Sequence, residues 1–172
     1  MKLVANLVPR SLWGFNARNV GNSDWQKIKV KARQNSQNIC IICGRNMTDN
    51  LRDLHTHEFW EYNEEFGVAK IVRIGTVCVD CHDIIHLGRT YAIEKESRLN
   101  ILNAHFCKVN GLQDSSDKLN IEHQRAMNEW RRRSNIDWKQ DLSILAEFGV
   151  KIPELSTEQA DAIKNIDWSN ER

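Results

Sequence analysis

Two stretches near the middle of the chain carry strand signals, one by alternating apolar and polar residues and one by its β-branched content. Most of the sequence around them repeats its apolar positions every three or four residues. "LRDLHTHEFWEY" (51–62) alternates and is rich in aromatics, which predicts a strand. "VAKIVRIGTV" (68–77), rich in β-branched residues, predicts a second. "NEEFG" between them reads as a turn, so the pair should form a hairpin. "CVDCHDIIHLGR" (78–89) then opens a short helix that Gly88 is placed to end. Upstream, "NARNVGNSDWQKIKVKARQ" reads as a loop followed by a helix. Ser23 is its expected N-cap, Asp24 lies in its first turn, and Trp25, Ile28 and Ala32 share one face. Downstream, Leu99, Leu102 and Phe106 line a helix that stops at "VNG". "SSDKLNIEHQRAMNEWRRR" predicts a longer helix packed through Leu119, Ala126 and Trp130. "WKQDLSILAEFGV" reads as another helix, and "STEQADAIKNIDW", after Pro153, as a short last one capped by Ser156. Trp13, Trp25, Trp60, Trp130 and Trp138 read as core or hairpin-covering aromatics, and Cys107 as a core cysteine. The expected class is α+β, a small hairpin embedded in helices. It divides into a basic N-terminal loop and helix (1–36), a central unit (37–90), a helical extension (91–152) and an acidic tail (153–172).

The 172 residues suffice for one domain with a real core. Apolar residues make up 41% and charged ones 27%, ordinary for a globular protein, and no apolar run approaches the roughly 20 residues needed to cross a bilayer. "MKLVANLVPR" does not read as a signal peptide. The expected compartment is therefore the cytoplasm, where five cysteines point to metal or chemistry before disulfides. A net charge of +1 gives no global pull on nucleic acid. Up to Arg33, however, Lys2, Arg10, Arg18, Lys27, Lys29, Lys31 and Arg33 face Asp24 alone. That stretch is either a solvated basic face or a phosphate-contacting arm through Lys27, Lys29 and Lys31.

Chemistry concentrates in the central unit. Cys40 and Cys43 form one C-x2-C, followed by Gly44; Cys78 and Cys81 form a second. Each pair spans one tight turn, so all four sulfurs can reach a single ion, and a tetrahedral structural Zn2+ is expected. Four protein ligands leave that ion no open position, so it supplies folding energy rather than catalysis. His82 and His86 lie four apart and share a helix face. "LHTHEF" offers His55, His57 and Glu58 to meet them. The plainer alternative makes these histidines extra ligands or hydrogen-bonding partners of the same zinc; His55 is expected to be exposed. A zinc deaminase is ruled out: no glutamate stands two residues after His55 or His57, and Val77 precedes Cys78 where that signature needs proline.

In this order, "CIICG", "LHTHE" and "CVDCHDIIH" resemble the zinc-containing branch of the HNH endonuclease family, whose core is a ββα-metal hairpin and helix. More loosely, "VPRSLWGFNARN", "DWQKIK", "LHTHEFWEYN", "VCVDCHDIIHLGR" and "MNEWRRRSNIDWKQDLS" resemble bacterial and phage proteins of HNH type. The resemblance implies a zinc-stapled ββα-metal fold and an endonuclease that hydrolyses DNA phosphodiester bonds, phage- or mobile-element-borne. It implies that His57, His82 and His86 hold a second divalent cation (Mg2+, Mn2+ or Zn2+). It further implies that Glu58 stands where the family has its water-deprotonating histidine, with His57 beside it in the catalytic pair. The family's bracing asparagine has no counterpart at the expected spacing, which Arg73 occupies; Asn63 in the turn is the nearest substitute. Arg45, Lys70, Arg73 and Arg89 are expected to hold flanking phosphates. DNA is the expected partner, RNA stays open beside it, and so does a protein partner or a second copy of the chain. The rival expectation is an HNH-like zinc module that has lost its base and only binds.

Overall fold

The computed structural model describes residues 1–13, 22–113 and 115–151. The expected short helix after Pro153, its Ser156 cap and the acidic tail lie outside the described residues, as do Arg18 and the Ser23 side chain.

The two stretches form the hairpin. β1 (Leu54–Asn63) pairs antiparallel with β2 (Val68–Cys78), His57 opposite Gly75 and Glu58 opposite Ile74. The turn closes at Gly67, whose φ of +61° suits glycine, and an added Cβ there would stand 3.2 Å from the Asp137 carbonyl. Asn63 Oδ1 accepts a hydrogen bond from the Phe66 N–H, 2.9 Å. It therefore shapes the turn, at the far end of the hairpin from the histidines, and braces no site.

α1 (Asn22–Ser36) buries Trp25, Ile28 and Ala32, as its periodicity requires. α2 (Val79–Ile85) begins where β2 ends, with Cys78 as its N-cap residue. It does not run to Gly88. It breaks at His86, and α3 (Leu87–Ile93) follows at once, with Gly88 inside it against Leu7. The Thr90 hydroxyl supports the break by donating to the Asp83 carbonyl, 2.7 Å. α4 (Glu96–Asn110) ends at Gly111 in the left-handed region, and α5 (Lys118–Arg133) carries buried Leu119 and Ala126. The segment expected as a further helix is different. Lys139–Asp141 adds β3, parallel to β2 at the sheet edge, and Ser143–Phe148 is a 3-10 helix. Edge pairing to Val68–Lys70 overrides the local helical pattern there.

The hairpin separates two cores. Trp60, Tyr62, Ile71 and Ile74 face α1 and the 3-10 helix, with Trp25, Ile28, Trp138 and Leu145. Val77, with Ile84, Leu87, Leu102 and Phe106, builds the other core against α2–α5, where the N-terminal Leu3 and Ala5 are also buried. Cys107 is buried at the α4 face, as expected. No helix among the described residues is long and apolar enough to cross a membrane.

Candidate functional site

The first C-x2-C lies in a tight knuckle. The Gly44 N–H donates to the Cys40 carbonyl, 2.9 Å, and the Cys40 N–H to the Arg45 carbonyl, 2.9 Å. Gly44 turns at φ +74°, which explains a glycine directly after the second cysteine. The Ile41 N–H donates to Thr76 of β2, 2.9 Å, and this docks the knuckle beside the start of α2. The sulfurs of Cys40, Cys43, Cys78 and Cys81 consequently lie within 4.8 Å of one another. The Cys43–Cys78 separation is 3.7 Å. Two sulfurs bound about 2.3 Å from one tetrahedral ion stand about 3.8 Å apart, close to the Cys43–Cys78 separation, so the cluster could hold a zinc ion. The thiols perturb each other strongly. Contact with Cys40, then Cys78 and Cys81, pulls Cys43 far below its usual value, while Cys40, Cys43 and Cys78 push Cys81 far above it. Each thiolate that forms opposes the next, and a divalent cation is what neutralises all four.

Two supports of this cluster carry no motif. His105 Nε2, from α4, lies 3.2 Å from Cys81 Sγ. Asp80, inside the second C-x2-C and only 8% exposed, accepts from Arg45 at 2.6 Å and from Arg98 at 2.7 Å. Arg98 also donates to Asp83, 2.6 Å. Burial raises the Asp80 carboxyl, but the bonds from Arg98 and Arg45 outweigh it and hold the group below its usual value. A cysteine and a histidine 24 positions apart give no spacing signal. Only the docking of α4 on α2 joins them.

On the face of the hairpin that meets α2, four imidazoles gather. The ligand nitrogens of His57, His82 and His86 all lie within 4.8 Å of one another. The His82 and His86 rings are 4.6 Å apart, and His57 meets them at 5.6 and 4.9 Å. His57 is 7% exposed and the helix pair is half-buried. His55, expected to be exposed, is half-buried and stacks on His82 at 4.6 Å, 12° from parallel. Strand alternation puts it on the face of His57, and the helix beyond covers it.

The same alternation sends Glu58 the other way. It shares the α1 face with Thr56, Trp60 and Tyr62, is buried, and adds its field to the Tyr62 phenol. That phenol is raised first by burial, against the pull of Arg133. Alternation thus sets Glu58 on the strand face opposite His57.

The basic residues divide. Arg45 is held by Asp80 and Lys70 lies 3.7 Å from Asp141, so neither is a free phosphate contact. Lys27 pairs with Asp24, and Lys31 donates to the Glu147 carbonyl and sits over the Phe148 ring. Lys29 is half-buried, while Lys27 and Lys31 are exposed. Arg73 and Arg89 are exposed. Trp25, Trp60 and Trp138 are buried and Trp130 half-buried, but Trp13, expected as a core or hairpin-covering aromatic, is 63% exposed. Comparison with known proteins found no matching family model, no matching curated protein and no matching solved structure. Function is therefore read from the site's own chemistry.

Proposed function

We propose that this protein is a metal-dependent phosphodiester hydrolase of HNH type acting on DNA, built around the three convergent imidazoles of His57, His82 and His86. That convergence carries the reading: a strand and the helix that follows it deliver three imidazole ligands to one point, all within 4.8 Å. The four cysteines hold zinc in a reducing, cytoplasmic compartment and fasten the start of α2. They thereby fix where His82 and His86 point. A divalent cation at the imidazoles supplies Lewis-acid charge for a phosphoryl oxygen when bound. His57, from the hairpin, orients the group, while His82 and His86 close the site from α2 and its C-terminal end. With Glu58 on the opposite face, the proton of the attacking water falls to His55, an imidazole on the histidine face stacked against His82. Exposed Arg73 and Arg89 are the cations left to take flanking phosphates.

The position of Glu58 also favours a second reading, an HNH-like zinc module that binds nucleic acid or a partner protein without cutting. Nicking of supercoiled plasmid across Mg2+, Mn2+ and Zn2+ separates the two. For the hydrolase, His57→Ala and His86→Ala abolish cutting, His55→Ala slows it by about 10² or more, and Glu58→Gln cuts like wild type when folded. A wild type that cuts nothing with any of these ions, yet binds DNA, overturns the hydrolase and leaves the binding module.

A further inference from the structure

Beside the histidines, a cleft of about 310 Å³ is lined by Leu7, Trp13, His86, Arg89, Met127 and Trp130, among others. That volume is at the small end of ligand cavities. Its wall has an unusual construction. Trp13 is 63% exposed, yet its indole is not loose. The Trp13 Nε1–H donates to the Val8 carbonyl at 2.9 Å, and the Trp130 Nε1–H donates to the same carbonyl at 3.1 Å. The two rings are held 6.4 Å apart at 32° by one shared acceptor. Exposing so much rigid aromatic surface is unfavourable unless something stacks on it. Cationic charge surrounds it. The Arg10 guanidinium lies 4.9 Å over the Trp130 ring, and Arg89 lines the cleft. Neither arginine has a carboxylate at ion-pair distance among the described residues.

We infer that this cleft is a stacking site for an unpaired nucleotide of a nucleic-acid strand. The base lies on the Trp13 indole and the adjoining phosphates face Arg89 and Arg10. A pinned aromatic face plus unneutralised arginines is the chemistry by which proteins hold single strands without reading sequence. His86 belongs both to this cleft and to the imidazole cluster, so the strand is led directly to that site. The inference rests on the proposed function for the choice of polymer, but its test needs no hydrolysis.

The test is fluorescence anisotropy of the full chain, without added divalent cation. The probes are labelled oligothymidylate, oligouridylate, an abasic strand of equal length and a duplex. Single strands should quench tryptophan emission and bind about tenfold tighter than the abasic strand. Trp13→Ala should erase that preference and weaken binding about tenfold, Trp13→Phe should restore most of it, and Arg89→Gln should lower the salt slope by about one. Equal binding of abasic and base-bearing strands, or a folded Trp13→Ala that binds like wild type, overturns the inference. If cutting is never observed while the Trp13 effect holds, the hydrolase fails and the stacking site stands; cutting with no Trp13 effect is the reverse.

Discussion

Replacing Cys81 by serine attacks the fold at its narrowest support. Cys81 is fully buried, shares its core with Ile84, Leu87, Leu102 and Phe106, and is the residue before His82. Its sulfur belongs to the four-cysteine cluster and touches His105. Structural Zn2+ sites of this type bind with about 10–16 kcal/mol at neutral pH, and that energy is folding energy because no such site exists in the unfolded chain. A domain's whole stability is about 5–15 kcal/mol. The serine hydroxyl is a poor zinc ligand, and left buried it costs about 1–3 kcal/mol more. Apart from an ion held by the four sulfurs, the first C-x2-C reaches the second through contacts such as the Ile41–Thr76 hydrogen bond and the Arg45–Asp80 ion pair. The loss therefore exceeds what the two cores can absorb. Cys81→Ser should carry no tightly bound zinc and show no cooperative thermal transition, while wild type carries zinc at this cluster and loses its transition on treatment with a strong chelator. Zinc stoichiometry with circular dichroism melting measures both. A variant whose Tm falls by less than about 3 °C has lost under about 1 kcal/mol, and that result would refute the zinc-coupled fold.

Four further outcomes follow from the same geometry. His105→Ala should leave the secondary structure intact but weaken zinc retention about 10- to 100-fold, read as release to a colorimetric chelator; unchanged release removes His105 from the metal centre. Asp80→Asn should cost about 2 kcal/mol in denaturant unfolding, the usual penalty for breaking a buried pair reduced because Arg45 and Arg98 are partly exposed. The Glu64 carboxyl, held down to about 2 chiefly by its bond from Arg132 and also by Arg133, contributes fully above its ordinary 4.5. Its contribution, about 1 kcal/mol after solvent screening, should vanish as pH falls from 4.5 through 2, and Glu64→Gln should flatten that part of the stability–pH curve. Changing Lys27, Lys29 and Lys31 together to glutamine should leave the salt dependence of DNA binding unchanged, since Lys27 and Lys31 already have intramolecular partners; a slope reduced by about three would restore the arm.

The local code was legible where local chemistry dominates. Alternation and β-branched content set the hairpin, and a C-x2-C can only be a tight turn with two sulfurs on one side, so Cys40, Cys43, Cys78 and Cys81 pointed to one another from spacing alone. The i, i+4 relation likewise placed His82 beside His86. The failures share a physical cause. A strand's period of two states that His57 and Glu58 face opposite ways, but not which face is covered by α2 and which by α1. Only packing decided that, and it left Glu58 buried and His55 half-buried. Lys139–Asp141 reads as helix by pattern and became strand because the exposed edge of β2 offered hydrogen bonds the local sequence could not anticipate. His105, Asp80 and the pair of tryptophans pinned on Val8 come together across separations of 24, 35 and 122 positions, where contact depends on how helices dock. The sequence by itself determined which side chains could bind metal. Tertiary structure alone decided which of them meet, because long-range contacts are fixed by the burial of whole faces and not by the neighbours of any one residue.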